Sequence, residues 1–168
     1  MDLGLKGKRV LISGSTSGLG LATATQLLKE KAEVCLNRRI TKKLEIVLSN
    51  LRKSQYAFGF AADVTRKEEC KSLILHAVDK MRGLTKSLLK ELGQYKIRVN
   101  SILPGWTYTQ RVANLINKRV KRNNSTAEEE ISGITDKIPL SRMASPEEFG
   151  KVAAFLTSTA ASFVTGGT

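Results

Sequence analysis

The sequence predicts an α/β fold, a parallel sheet covered by helices on its faces, and three observations carry that prediction. Short apolar runs alternate along the chain with segments whose apolar residues recur at helical spacing. A glycine-rich turn, Gly14 to Gly20, joins the first apolar run to the first helical stripe. The length of 168 residues, 41% of them hydrophobic, suffices for one domain with a real core.

The elements follow in order. Residues 10–13 form a short apolar strand, and Leu21, Ala24 and Leu28 mark the helical stripe after it. Residues 32–37 read as a second strand, and residues 41–53 as a second helix with Leu44, Val47, Leu48 and Leu51 on one face. Residues 55–64 give a third strand running into a turn. Helical sequence continues over 66–92 and ends at Gly93, and residues 96–103 supply a further strand closed by Pro104-Gly105. A polar, irregular region follows. The last helix opens at Ser145, with Pro146 in the first turn and Glu148 at the capping-box position; Phe149, Val152, Ala153 and Leu156 form its apolar stripe. Strands separated by helices imply parallel pairing. There is no internal repeat.

Composition narrows the class. No stretch has the apolar length of a membrane span, and the first ten residues lack the apolar centre of a signal peptide, so a cytoplasmic location is expected. Cys35 and Cys70 lack zinc spacing and are expected to be reduced, buried thiols. The net charge of +13 attracts polyanions and raises the question of nucleic acid. The basic residues are spread along the chain, however. The densest cluster, Arg111, Lys118, Arg119, Lys121 and Arg122, runs into the acidic residues 128–130 and reads as a solvated helical face or a mobile loop. No aromatic stacking pattern, zinc finger or helix-turn-helix signature accompanies the charge, which argues against a nucleic-acid partner.

The glycine turn has a specific chemistry. Between a strand and a helix, Gly14 permits tight bending, Gly18 lets backbone approach a pyrophosphate, and Gly20 lets the helix pack closely on the sheet. The helix N-terminus adds free N–H donors and a positive dipole end, so the turn suits a dinucleotide.

The spacing Gly14-x-x-x-Gly18-x-Gly20, with Ser13 before it, resembles the short-chain dehydrogenase/reductase family, whose motif begins with threonine where Ser13 stands. Other blocks match in the same order. Asp63-Val64 resembles the family's adenine-contacting pair. "RVNSILPGWTYT", residues 98–109, resembles the segment in which Asn100 supports the strand end, Pro104-Gly105 passes the nicotinamide, and Thr107 and Thr109 hold its carboxamide and the pyrophosphate. Residues 138–166 are similar to the family's C-terminal helix and the Thr-Gly turn behind it. The resemblance implies a single Rossmann-type, doubly wound dinucleotide-binding domain over residues 1–168, incomplete as it stands, with a lid-like segment at 109–137. It further implies hydride transfer between a nicotinamide cofactor and a small carbonyl compound or secondary alcohol, in a homotetramer. The implied cofactor contacts are Gly14, Ser15, Thr16, Ser17, Gly18, Leu19 and Gly20 around the pyrophosphate, with Asp63 and Val64 at the adenine. Pro104, Gly105, Thr107 and Thr109 take the nicotinamide end.

Charge decides the cofactor. An NAD site ends its second strand with an acid for the ribose hydroxyls, but here Asn37-Arg38-Arg39 stands in that place. Two guanidiniums match a 2′-phosphate, so NADP is preferred, with NAD as the alternative.

The family's catalytic asparagine, serine, tyrosine and lysine are not found. The residues four beyond Tyr56, Tyr95 and Tyr108 are Phe60, Val99 and Val112, none of them lysine, and His76 reads as a helix-surface or packing residue. Residues 68–81 resemble the family's helix after the third strand and residues 82–100 the second half of the helix that bears the tyrosine and lysine, and the two abut near residues 81–84. On the family pattern two strands, one helix and half of another, on the order of seventy residues, belong between them. Without them the first strand and residues 96–103 stand about 14 Å apart, three strand spacings. Either the 168 residues are part of a larger enzyme that carries the catalytic residues, or the chain is a deletion form that holds nucleotide without turnover.

Overall fold

The computed structural model describes residues 2–51, 56–80, 98 and 100–165. Three parallel strands, β1 (Arg9–Ile12), β2 (Glu33–Arg38) and β3 (Ala57–Ala61), form a sheet in the order β1-β2-β3. Leu11 pairs with Cys35 and Cys35 with Phe58, which fixes the register across all three. Between them run α1 (Gly18–Lys29) and α2 (Thr41–Leu51), and α3 (Lys67–Lys80) follows β3. Three helices complete the described chain: α4 (Gln110–Asn123), α5 (Ala127–Thr135) and α6 (Pro146–Thr157), the last running into a short 3₁₀ turn at Thr159–Ala161.

β2 is central because both its faces are apolar. Val34 and Leu36 point into one core with Ala24 and Leu27 of α1, Leu44 of α2 and Ala154 of α6, all buried. Cys35 points the other way, into a second core with Ala62 and with Leu73 and Ala77 of α3. Alternation along a strand puts neighbouring side chains on opposite faces, so β2 alone dictates two layers of helix. α1 and α2 thus lie on one face of the sheet and α3 on the other, and in α/β sheets covered on both faces ligands bind in a crevice at the carboxyl ends of the strands.

Helix α6 forms as its cap residues require. The Ser145 hydroxyl accepts from the Glu148 N–H, and the Glu148 carboxylate accepts from the Ser145 N–H at 2.7 Å, with Pro146 in the first turn. Its buried face differs from the expected stripe. Gly150, Ala153 and Ala154 are buried and Val152 is exposed, because α6 crosses α1 so closely that only small residues fit between them. A Cβ on Gly150 would lie 2.8 Å from the Ala22 carbonyl oxygen.

Several boundaries shift. β1 starts at Arg9 and ends at Ile12, β3 ends at Ala61, and Asp63 and Val64 lie beyond it. Residues 96–103 were expected as a strand, yet Arg98 and residues 100–103 are in none; 96, 97 and 99 lie outside the described residues. A strand needs a neighbour at hydrogen-bonding distance, and among the described residues β1 pairs with β2 alone. Arg98 instead donates to the Ser158 and Val164 carbonyls, and Asn100 to Val164. The region expected to be irregular is helical: Val112, Ile116 and Val120 stand four residues apart along α4, with Ile116 buried, so the basic cluster is the solvated face of a helix. Cys35 is buried, and burial pushes its thiol up to about 11, but Cys70 is only half-buried. His76 stacks on Phe60 with ring centroids 4.5 Å apart, a packing role. The expected junction at 81–84 and the helix end at 81–93 lie outside the described residues.

Three substitutions in α5 and α6 test this packing and capping. Gly150→Ala is expected to destabilise the fold by about 1–3 kcal/mol through overpacking. Gly133→Ala, in α5 with open space around it, is expected to stabilise by about 0.5–1 kcal/mol through helix propensity, both read from urea midpoints. The Arg142 guanidinium, paired in two hydrogen bonds of 2.6 and 2.8 Å with Glu148, lowers that carboxyl from an ordinary 4.5 to about 2, and the Ser145 N–H adds to the effect. The folded state therefore holds Glu148 ionised where the unfolded chain protonates it. Its stabilisation is complete above pH 4.5 and disappears as pH falls through about 2. Glu148→Gln, which keeps the cap but not the charge, should flatten the loss of stability over that window in acid titrations followed by circular dichroism.

Candidate cofactor site

The glycine turn leaves β1 at Ile12 and enters α1 at Gly18. Gly14 and Gly18 have φ of +62° and +54°, the left-handed region that glycine adopts freely. A Cβ on Gly20 would lie 2.7 Å from the Gly14 carbonyl oxygen, so the helix start presses directly on the turn. Around Gly14 there is open space.

Ser15 and Asn37 hold this turn in place. The Ser15 N–H donates to the Asn37 carbonyl at 3.2 Å, and the Asn37 N–H donates to the Ser15 hydroxyl at 2.9 Å. The Asn37 carboxamide then donates to the Phe60 and Ala62 carbonyls at 3.0 and 3.1 Å, bridging the ends of β2 and β3. Both Ser15 and Asn37 are buried. Sequence reading took Asn37 only as a place without a carboxylate; its bracket function depends on the register that sets it opposite Phe60.

Next along β2, the Arg38 guanidinium donates to the Thr16 hydroxyl at 2.6 Å, with the Ser17 hydroxyl at 3.5 Å. Ser17 is the N-cap of α1 and makes no side-chain cap, so the first-turn N–H groups of that helix stay open toward an anion. Arg39, its side chain three-quarters exposed, diverges from Arg38 and lies 3.8 Å from the largely covered Asp63 carboxylate. Asp63 also accepts from the Thr65 hydroxyl and N–H, and those bonds, with Arg39 and Arg66 nearby, hold its carboxyl below the ordinary range. Val64 beside it is exposed.

The second wall of the site comes from far along the chain. Tyr108 and Ala144 exchange backbone contacts, with the Tyr108 N–H donating to Ala144 at 2.8 Å and the Ala144 N–H to Trp106 at 2.9 Å. This parallel bridge fixes residues 104–109, and buried Thr107 donates to the Gly105 carbonyl. Thr109 caps α4 without a side-chain hydrogen bond, and its methyl would lie 3.8 Å from a Cβ on Gly18. Two uncapped helix starts therefore meet.

Between them lies an open cleft of about 680 Å³. Gly14, Ser17, Gly18, Leu19 and Gly20 line one side. Pro104, Gly105, Trp106, Thr107 and Thr109 line the other, and Arg111 and Val112 extend it along α4. Of the residues predicted from sequence, nine thus share one cleft. Ser15 and Thr16 are buried behind it, and Arg38, Arg39, Asp63 and Val64 lie off it at the ends of β2 and β3. The places of Trp106, Arg111 and Val112 in the cleft were not read from the sequence. Among the described residues no group of histidine, cysteine or carboxylate side chains could hold a metal, and no helix is long and apolar enough to cross a membrane.

This chain belongs to the short-chain dehydrogenase/reductase family. A family model described as short chain dehydrogenase matches residues 8–84, and one described as enoyl-(acyl carrier protein) reductase matches residues 80–168, more than half of the chain. Over 91 residues the chain is 44% identical to short-chain dehydrogenase anuF of Penicillium roqueforti, covering 54% of this chain and 29% of that protein. Over 84 residues it is 40% identical to oxidoreductase UcpA of Salmonella typhimurium, covering 50% of this chain and 31% of that one. The aligned part thus spans about three-tenths of these relatives' length. Among solved structures, L-sorbose reductase from Gluconobacter frateurii, complexed with NADPH and L-sorbose, superposes with a TM-score of 0.85 at 20% identity, covering 99% of this chain and 95% of that one. The 3-ketoacyl-(acyl-carrier-protein) reductase from Brucella melitensis, complexed with NADH, gives 0.76 at 19% identity, covering 97% and 96%. At such identities the likeness speaks for the fold alone, which is Rossmann-type and doubly wound, with three strands of the sheet among the described residues.

The Asn37 bracket is testable. Asn37→Ala strips the Phe60 and Ala62 carbonyls of their donor, and a buried acceptor left unsatisfied costs about 1–3 kcal/mol. Urea denaturation should show that loss, and amide exchange at residues 14–18 should speed up.

Proposed function

We propose that these residues form the cofactor-binding part of an NADP-preferring short-chain dehydrogenase/reductase that moves a hydride between the nicotinamide and a small carbonyl compound or secondary alcohol. The single observation that carries this reading is the convergence of two uncapped helix starts, at Gly18 and Gln110, on one cleft at the carboxyl ends of the strands. When bound, the dinucleotide supplies the hydride at C4 of its nicotinamide. Gly14, Ser17, Gly18, Leu19 and Gly20 would hold the pyrophosphate, with Ser15 and Thr16 behind them shaping the turn. Pro104, Gly105, Thr107 and Thr109 would orient the nicotinamide, and Asp63 and Val64 the adenine. The residues fit the group: the turn leaves open space at Gly14, and no carboxylate among the described residues lines the cleft to repel a diphosphate.

Arg38 and Arg39 support NADP over NAD. Arg38 lies on the Thr16 and Ser17 hydroxyls, and exposed Arg39 is free to turn from Asp63 toward a 2′-phosphate. The lid is the pair α4 and α5, residues 109–137, hinged on the Thr107–Ala144 bridge. Homotetramer formation and a cytoplasmic location belong to the same reading. A second reading, a deletion form that binds nucleotide without turnover, is favoured by one observation: no tyrosine in the sequence has a lysine four residues on.

Arg38→Ala and Arg39→Ala should each weaken NADPH about tenfold, the loss of a charge-assisted contact, and leave NADH within about twofold. Calorimetric titration of both cofactors checks this, and equal losses for the two would overturn the NADP assignment. Turnover of NADPH with a panel of aldehydes and ketones separates the enzyme from the deletion form.

A further inference from the structure

The cleft is charged with one sign. Among the described residues that line it, Arg111 alone carries a formal charge. The arginines within reach of carboxylates stand off the cleft: Arg9 at Glu33, Arg39 at Asp63, Arg66 at Glu69 and Arg142 at Glu148. Arg119, two turns further along the same helix, lies 5.6 Å above the Trp106 ring. Arg111 is exposed and has no ion pair among the described residues. The first turn of α4 holds no acidic residue, so nothing local neutralises the guanidinium or the helix start beneath it.

The place of Arg111 separates it from the cofactor's own anions. The diphosphate in the reading above falls to the glycine turn and the start of α1. Arg111 stands on the other wall, on the helix that continues from the nicotinamide-side segment 104–109, with Trp106 and Val112 as apolar neighbours lining the same cleft. A planar fork beside an apolar wall suits a small molecule with a carboxylate or phosphate at one end.

We infer that Arg111 determines specificity for a carbonyl substrate that also carries an anionic group, a carboxylate or a phosphate. The inference rests on the nicotinamide-dependent reading proposed above. It can be tested on the full chain saturated with NADPH, titrated calorimetrically at low salt with two matched pairs: pyruvate against acetone, and dihydroxyacetone phosphate against dihydroxyacetone. The expected result is that at least one anionic probe binds about tenfold or more tighter than its neutral counterpart. Arg111→Gln should abolish that preference while NADPH affinity stays within about twofold. Absence of any charge preference in the unmodified chain, or its persistence in Arg111→Gln, overturns the inference. So does an equal loss of NADPH and anion binding in the variant, which would assign Arg111 to the cofactor's diphosphate. Trp106, the single tryptophan, reports cofactor docking independently through its quenching by NADPH. If NADPH fails to quench it, the cofactor reading fails. The anion pairs are then titrated without NADPH, where equal affinity for charged and neutral probes overturns the role of Arg111 on its own.

Discussion

Hydrogen bonds between Ser15 and Asn37 fasten the glycine turn to the end of the sheet, and the cleft takes its position from them. A turn that bends through left-handed backbone at Gly14 and Gly18 has many ways to sit above a strand end. The paired bonds between residue 15 and residue 37 select one, and the Asn37 carboxamide ties that choice to β3 as well. Because Gly20 presses on Gly14, the axis of α1 is set by the same contacts. Arg38 then reaches Thr16 as a consequence of standing one residue beyond the bracket.

The far side of the cleft is positioned by a different kind of contact. α6 lies against α1 through Gly150, and the residues before its cap pair with residues 106–108. The helix that opens the glycine turn and the strip that faces it are therefore joined through α6. The bidentate Arg142–Glu148 pair sits at this joint, next to the cap. The two walls are thus joined through packed backbone as well as facing each other across the cleft.

What could be read in the sequence was what local chemistry decides. The Ser145–Glu148 cap needs only residues within one turn, and it forms as written. The glycine turn is equally local, and the apolar run 32–37 reads as the strand it forms. What depends on partners was not legible. Residues 96–103 have the composition of a strand, but a strand is completed by a neighbour, and Arg98 and Asn100 bind the chain near its C-terminus instead. The polarity of residues 109–137 masked the four-residue spacing of Val112, Ile116 and Val120. Asn37 and Arg111 gained their places only from register and from where α4 begins, neither of which a linear reading contains.

The edge of β1 has a further bearing on how the molecule behaves in concentrated solution. Among the described residues that edge is bare, and Leu11 is 39% exposed beside a groove bounded by Lys8 and Arg9. Bare strand edges invite pairing with another chain. Here the strand is four residues long, and although Arg9 at its head is paired with Glu33, the chain carries a net charge of +13, so approaching copies repel one another. Colloidal stability then becomes a function of ionic strength: at about 1 M salt the screening length shrinks to about 3 Å, and the repulsion no longer guards the edge.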